Sequence, residues 1–199
     1  MTLEYKKPTV KSIPDDELFF GHKACAGCGG SLAVRAALKV LGPHAVCALP
    51  AGCMSAVGFN FPQLSFANNA MITPFAATAA VAAGIGIQAL SGAIDRNDDI
   101  LYICYDNEAY MNTGIQKSSL TPFGASTTTT PAGGNVHGCV TQKKNLFEVV
   151  AAHGIPYAAT ASIGYLPDFM NKVARAASIK GTKYIHVIAP CPTGWGCAV

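Results

Sequence analysis

The sequence predicts an α/β fold, a mostly parallel sheet with helices on both faces. Two observations carry this. Short apolar runs of strand length alternate with segments of helical period along most of the chain. The clearest strand, Ile100 to Tyr105, is β-branched and aromatic and runs directly into a polar signature, Asp106-Asn107-Glu108-Ala109-Tyr110-Met111-Asn112-Thr113-Gly114. In such sheets ligands bind beyond the carboxyl ends of strands. Asp106, Cys53 and Cys191 each follow a predicted strand, so one sheet edge is expected to hold all three.

The first 22 residues carry Pro8 and Pro14 and no sustained period. They read as an extended arm that wraps a neighbour. Ser31 is placed to cap a helix over Leu32 to Leu41, stopped by Gly42-Pro43. Residues 45–49 form a short apolar run closed by Pro50, a buried strand by length. A small-residue helix is expected over Pro74 to Ile94, with Pro74 in its first turn. After the 100–105 strand, residues 111–142 form a Gly/Thr/Pro loop, and a loop so long inside a compact domain is usually functional. A helix (143–153), a strand (156–161), a helix (167–178) and a strand (184–189) complete the alternation.

At 199 residues the chain fits one domain with a small extension. Only 13% of residues are charged, against about 25% in ordinary soluble domains, so burial against partner subunits is expected. The net charge of +3 is too small to argue for nucleic acid, and the doublets Lys6-Lys7 and Lys143-Lys144 make no basic patch. Phe66 to Ile94 lacks charge, but Asn68, Asn69, Pro74, Gln88 and many small residues favour a packed helix over a membrane span. Met1 to Phe20 is polar and charged, not a signal peptide. A cytoplasmic location follows as the expectation, with thiols reduced and a CxxC metal-binding or catalytic.

The chain has eight cysteines. Cys25-Ala26-Gly27-Cys28-Gly29-Gly30 puts two sulfurs in a tight turn just before a helix, whose N-terminus favours negative charge. Gly52-Cys53 repeats the design after the next strand, and Pro190-Cys191-Pro192 makes a rigid turn after the last. From spacing, this thiolate set suits an iron–sulfur cluster or a zinc ion, and both stay open; a zinc ribbon would want two CxxC pairs. Cys47 and Cys104 sit in strands as small buried hydrophobes. Cys139 and Cys197 are unassigned, with Cys197 an alternative to Cys191.

The signature after the strand suits a hard divalent cation bridging to phosphate, since Mg²⁺ takes oxygen ligands. Asn107 offers a side-chain oxygen and Ala109 a backbone carbonyl, while Asn112 and Thr113 can hydrogen-bond a substrate or phosphate.

The segments GHKACAGCGG (21–30), YDNEAYMNTGIQKSSLTPFGASTTTTPAG (105–133), HGIPYAATASIGY (153–165) and IAPCPTGW (188–195) resemble the β subunit of pyruvate:ferredoxin oxidoreductase. That subunit belongs to the thiamine-diphosphate-dependent 2-oxoacid:ferredoxin oxidoreductases. The resemblance covers most of the chain from residue 21 and implies a thiamine-diphosphate-binding fold over residues 23–199. It implies that Cys25, Cys28, Cys53 and Cys191 ligate a [4Fe–4S] cluster and that Asn107 and Ala109 ligate Mg²⁺. Gly52, Cys53, Asn107, Ala109, Asn112 and Thr113 would line the cofactor, with Asn112 the catalytic residue, facing the thiazolium and the oxoacid.

The implied reaction is oxidative decarboxylation of pyruvate or a related 2-oxoacid, with coenzyme A as acyl acceptor and electrons leaving through the cluster to ferredoxin. The implied partners are an α subunit supplying the aminopyrimidine-binding domain and substrate residues, γ and ferredoxin-like subunits, and ferredoxin itself.

The family pattern places a Gly-Asp-Gly before the signature, its aspartate a further Mg²⁺ ligand, and this sequence has none. Ala82-Ala83-Gly84 runs straight into Ile85-Gly86. Either a central strand and a metal ligand are deleted, or an interior segment is missing from the sequence as read; the intact flanking motifs favour the second. The chain also stops soon after Cys191, where the family continues. Alternative readings are the same chemistry on oxalate or another 2-oxoacid, a cluster-carrying electron-transfer module without thiamine chemistry, and a structural zinc protein. His22 could line the cluster, whereas His44, His153 and His186 read as satisfying local hydrogen bonds. Glu108 reads as fixing its loop and Trp195 as packing beside the Cys191 turn.

Overall fold

A computed structural model describes residues 4–9, 11–15, 17–60, 63–73 and 86–197. A central three-stranded parallel sheet is built from β5 (Leu101–Asp106), β9 (Lys183–Ile188) and β8 (Tyr157–Ser162), in that spatial order. Asp106, Ile188 and Ser162 lie side by side at its carboxyl edge. A second parallel pair joins β1 (Cys47–Pro50) to β4 (Ala70–Thr73). The short antiparallel pairs are β2 (Phe59–Asn60) with β3 (Gln63–Leu64), and β6 (Ala132–Gly133) with β7 (Val136–His137).

Strand β9 is central and buried along nearly its whole length, so its two faces carry two cores. Ile185 and Val187 face Ala33, Ala36 and Ala37 of α1 (Gly29–Leu41) and Phe169, Val173 and Ala176 of a later helix, Leu166–Ala177. Tyr184 points to the opposite face. There it packs with Leu90 of Gly86–Asp95, Cys104, Leu120, and Leu146 and Val150 of Leu146–Ala151. Helices therefore cover both faces, as the alternation predicts. In chain order the helices are α1, α2 (Cys53–Gly58), α3 (Gly86–Asp95), α4 (Leu146–Ala151), α5 (Leu166–Ala177) and α6 (Pro192–Trp195).

Several expectations need correction. Helix α1 starts at Gly29 with Cys28 as its N-cap, so Ser31 lies inside the first turn, where its hydroxyl donates to the Cys28 carbonyl at 2.8 Å. Strand β1 begins at Cys47, not residue 45. The uncharged stretch from Phe66 opens with a strand, β4, because Ala70 to Thr73 finds a parallel partner in β1. The expected helix over Pro74 to Ile94 is described only from Gly86, as α3; Pro74 and the 84–85 junction lie outside the described residues. No helix among the described residues is long and apolar enough to cross a membrane.

The arm packs on its own domain. Phe19 is fully buried against Leu38 and Phe66, and the Phe20 and Ala67 N–H groups donate to Ser65 and Leu18 at 3.0 Å each. Glu17 pairs with Arg35 at 3.2 Å and Lys39 at 3.3 Å, and the Tyr5 hydroxyl donates to Asn171 at 2.6 Å.

Two glycines of the CxxCGG turn are required by close packing. A Cβ on Gly29 would lie 2.7 Å from the Ile163 Cδ1 and 3.1 Å from the Ala189 backbone; one on Gly30 would lie 3.2 Å from the Tyr105 ring. Gly29→Val should therefore cost about 1–3 kcal/mol through overpacking. Urea unfolding of the variant checks this, with an unchanged midpoint as the contrary result.

Candidate active site

The carboxyl edge of the central sheet carries the signature loop and the Cys191 turn; among the described residues Cys53 follows β1 of the separate β1–β4 pair, so the single edge expected for all three holds only Asp106 and Cys191. In the first cysteine turn the Cys28 N–H donates to the Cys25 carbonyl at 3.1 Å, across Gly27 in the left-handed region at φ 67°. Gly30, one turn on, packs between Met54 of α2 and Tyr105 of β5. At the second turn Gly52 is extended, and the Ser55 hydroxyl accepts from its N–H at 2.8 Å, which starts α2 at Cys53. At the third, Cys191 caps α6, and its sulfur accepts the Gly194 N–H at 3.3 Å.

These turns bring Cys25, Cys28, Cys53 and Cys191 into electrostatic reach of one another. Burial pushes the Cys53 thiol up, and Cys191, Cys28 and Cys25 push it the same way, while the Asn112 backbone N–H opposes by hydrogen bonding. Four thiols within electrostatic reach of one another, which would repel as thiolates, suit a cationic metal group whose charge relieves that repulsion. The N–H groups of Asn112 and Gly194 aimed at sulfur suit it as well. Among the described residues, no three His, Cys, Asp or Glu side chains are gathered closely enough to hold a metal ion. Cys191 acts on Cys53 more strongly than any other thiol, whereas Cys197 is exposed. Cys104 is buried in β5, its thiol pushed up to about 12 by desolvation and by Asp106. Cys47 is half-buried in β1, and Cys139 is fully buried against Thr121 and Thr141.

The signature begins as the last residue of β5. Asp106 is 1% exposed. Its Oδ1 accepts the Glu108 N–H at 2.8 Å; its Oδ2 meets the Lys143 Nζ at 2.8 Å and the His186 Nε2 at 3.0 Å. Burial would raise its pKa, but the bonds from His186 and Lys143 win and hold the carboxyl below its ordinary value. Lys143 is held above its own by Asp106 and Glu108 despite burial. The pair is ionised.

Glu108 occupies the left-handed region at φ 71°, a conformation that costs a non-glycine residue about 1–2 kcal/mol. Its carboxylate meets Lys143 at 2.8 Å and its carbonyl accepts the Thr121 hydroxyl at 2.7 Å. Glu108 does fix the loop, as expected. Beyond it, Tyr110 and Gln116 exchange backbone hydrogen bonds at 2.9 and 3.1 Å, which closes a short hairpin with Asn112 and Thr113 exposed at its tip. The Thr113 hydroxyl donates to the Gln116 side chain at 3.3 Å.

The residues expected to hold Mg²⁺ fit an oxygen-binding role. The Asn107 Oδ1 is engaged by a long 3.5 Å contact with the Ala109 N–H, and among the described residues the Ala109 carbonyl accepts no hydrogen bond. Trp195 contributes more than packing. Its indole N–H donates to the Asn107 carbonyl at 3.0 Å, and a Cβ on neighbouring Gly194 would lie 2.3 Å from the Met111 sulfur. The Cys191 turn and the signature loop thus interlock. His22, expected to line the cluster, stacks on Phe19 at 4.6 Å and accepts the Ala24 N–H at 3.3 Å.

Sequence reading missed the Asp106–His186–Lys143 set. A lone histidine in a strand and a lysine in a doublet carry no spacing signal, because residues 80 apart meet only through β5–β9 pairing.

Comparison with known proteins gives the family. The family model of the thiamine pyrophosphate enzyme C-terminal TPP-binding domain matches residues 26–187. Pyruvate synthase subunit PorB of Methanothermobacter marburgensis is 46% identical, over 92% of this chain and 73% of that protein. Ketoisovalerate oxidoreductase subunit VorB of Pyrococcus horikoshii is 43% identical, over 92% and 70%. The PorB alignment runs to 211 residues, longer than this chain of 199, so the relative carries residues without a counterpart here. A solved 2-oxoglutarate:ferredoxin oxidoreductase from Magnetococcus marinus matches in fold with a TM-score of 0.66, over 90% of this chain and 67% of that one, at 21% identity. A thiamine-binding domain with its strand ends interlocked with cysteine turns, and close kinship to PorB and VorB, place this chain in the 2-oxoacid:ferredoxin oxidoreductase family, among its β subunits.

Proposed function

We propose that the chain, with its partner subunits, carries out oxidative decarboxylation of pyruvate, with coenzyme A as acyl acceptor and ferredoxin as electron acceptor. The observation that carries the reading is the interlock between the two halves of the site: the Trp195 indole N–H, beside the Cys191 turn, donates to the Asn107 carbonyl at 3.0 Å, while the Asn112 side chain stays exposed at the tip of the same loop. The cysteine turn and the loop that would face a substrate thereby hold one another in place. Thiamine diphosphate, when bound, supplies the electron sink that decarboxylation of a 2-oxoacid requires.

This chain's residues do the rest. Asn107 and Ala109 offer oxygens to Mg²⁺, and Gly52, Cys53 and Thr113 line the cofactor. Asn112 donates a hydrogen bond to oxygen charge that grows on the substrate. Cys25, Cys28, Cys53 and Cys191 hold a [4Fe–4S] cluster, whose negative charge the Gly194 and Asn112 N–H groups favour. The aminopyrimidine-binding domain and substrate residues come from an α subunit, with γ and ferredoxin-like subunits completing a cytoplasmic complex. The low charge content is in keeping with buried subunit faces, and Phe123, Val136 and Val140 are 61%, 54% and 69% exposed on the isolated chain.

The competing substrate is ketoisovalerate, on which the VorB relatives are named as acting. The test is anaerobic: iron and sulfide content of the purified complex, with electron paramagnetic resonance before and after each oxoacid. A reduced-cluster signal appearing with pyruvate and coenzyme A is expected. A signal that answers only ketoisovalerate moves the substrate, and a cluster that ignores every 2-oxoacid leaves an electron-transfer module. Zinc in place of iron overturns both.

A further inference from the structure

Behind the signature loop, on the face of the sheet away from α1, lies a buried polar chain to which this reaction gives no role. Tyr184 is fully buried and its hydroxyl lies 3.2 Å from the His186 Nδ1. His186 is 6% exposed, and its Nε2 lies 3.0 Å from the Asp106 Oδ2. The Asp106 carboxyl at the Nε2 and the Tyr184 hydroxyl at the Nδ1 engage both ring nitrogens, which fixes the ring in one orientation. Such a chain is costly to bury unless every member is satisfied.

The direction of the chain is informative. Asp106 ends it by accepting the N–H of Glu108, the residue in the left-handed region, and Lys143 bridges Asp106 to the Glu108 carboxylate at 2.8 Å on each side. The conformation at Glu108 orients the backbone of Asn107 and Ala109 on either side of it. Strained backbone persists only where its surroundings over-determine it. Among the described residues, the contacts that hold Glu108 through its N–H and carboxylate run to Asp106 and Lys143, and only the Thr121 hydroxyl is independent. A cavity of about 330 Å³ lined by Lys143, Leu146, Thr160, His186 and Ile188 adjoins the chain, so packing alone does not hold His186 in place.

We propose that His186, oriented by Tyr184, is a positioning residue for the Mg²⁺–diphosphate loop: it locks Asp106, and through Asp106 the turn at Glu108 that presents Asn107 and Ala109. The proposal rests on the thiamine reading of the loop and adds a residue to it. His186 touches neither substrate nor cofactor and acts only through the loop.

The test uses the whole complex, freed of cofactor, and calorimetric titration with Mg²⁺ and thiamine diphosphate. His186→Leu should weaken binding about tenfold, the equivalent of one lost buried hydrogen bond to a charged group. His186→Gln, whose amide N–H can still reach Asp106, should recover to within about threefold of the unaltered complex. Tyr184→Phe keeps the ring and should show a smaller loss in the same direction, so the question stays answerable if His186→Leu does not fold. Cluster iron and the KM for the oxoacid at saturating cofactor should stay unchanged in all of them. Equal affinity in His186→Leu, or in Tyr184→Phe should the leucine variant not fold, overturns the proposal. A glutamine variant as weak as the leucine one does the same, since packing would then explain the loss. If the unaltered complex binds no thiamine diphosphate, the underlying reading fails instead, and that control separates the two failures.

Discussion

Cys53→Ser should abolish the cluster and, with it, ferredoxin-linked turnover. Cys53 stands at the centre of the set: it is the thiol whose ionisation Cys191, Cys28 and Cys25 all oppose, and it accepts the Asn112 N–H. Serine is nearly isosteric, so α2 should still start at this position, with the Gly52 and Ser55 bonds intact. The oxygen is a harder and less readily ionised ligand than sulfur, poorly suited to iron–sulfur chemistry. Iron and sulfide should fall to background in the purified complex, with the reduced-cluster resonance gone. Thiamine diphosphate should bind with little change, because serine keeps the size of the Cys53 side chain that lines the cofactor and the Asn107 and Ala109 oxygens are untouched. Cys197→Ser is the control: that thiol is exposed, and its loss should leave iron content unchanged. A serine variant of Cys53 with full iron would remove this residue from the ligand set.

Asn112→Ala should lower kcat about 10²- to 10³-fold, the usual cost of removing one preorganised donor to growing oxygen charge. Its backbone N–H remains in alanine, so the bond to Cys53 survives and the cluster signal should not change. The side chain sits at the tip of a hairpin closed by Tyr110 and Gln116, with its neighbours held by their own bonds. Loop geometry should therefore persist. The loss should fall on kcat with little change in KM, since the interaction strengthens in the transition state. Steady-state rates with pyruvate, coenzyme A and ferredoxin read this directly. A loss confined to KM would make Asn112 a ground-state binding residue instead.

Local patterns were legible wherever chemistry is written in adjacent residues. The strand running into Asp106-Asn107 was found within a residue, because β-branched and aromatic side chains in a row leave few alternatives. The same held for β8, β9 and α5. Glu108 as a loop-fixing residue was also readable. What failed was longer in range. Strand β4 hid in a run of small residues and exists because β1 offers it a parallel edge. The burial of Phe19 from the arm against Leu38 and Phe66 of its own domain carried no local signal either. Ser31 was taken for a cap, but the tight packing of Gly29 and Gly30 against Ala189 and Tyr105 lets the helix begin a turn earlier, at the cysteines.

The sequence by itself determined the fold class and the family, and it offered the cysteines and the signature loop as candidates for the chemistry. Apolar period, strand-ending signatures and cysteine turns are local properties of a chain. Tertiary structure alone decided how those residues are coupled. Asp106 and His186 meet across 80 positions, Trp195 reaches the Asn107 carbonyl across 88, and the Asn112 N–H finds the Cys53 sulfur from a separate loop. Parallel pairing of β5 with β9 sets the first two meetings, because it stacks the carboxyl ends of distant strands at one edge, where the loops that follow them must share space.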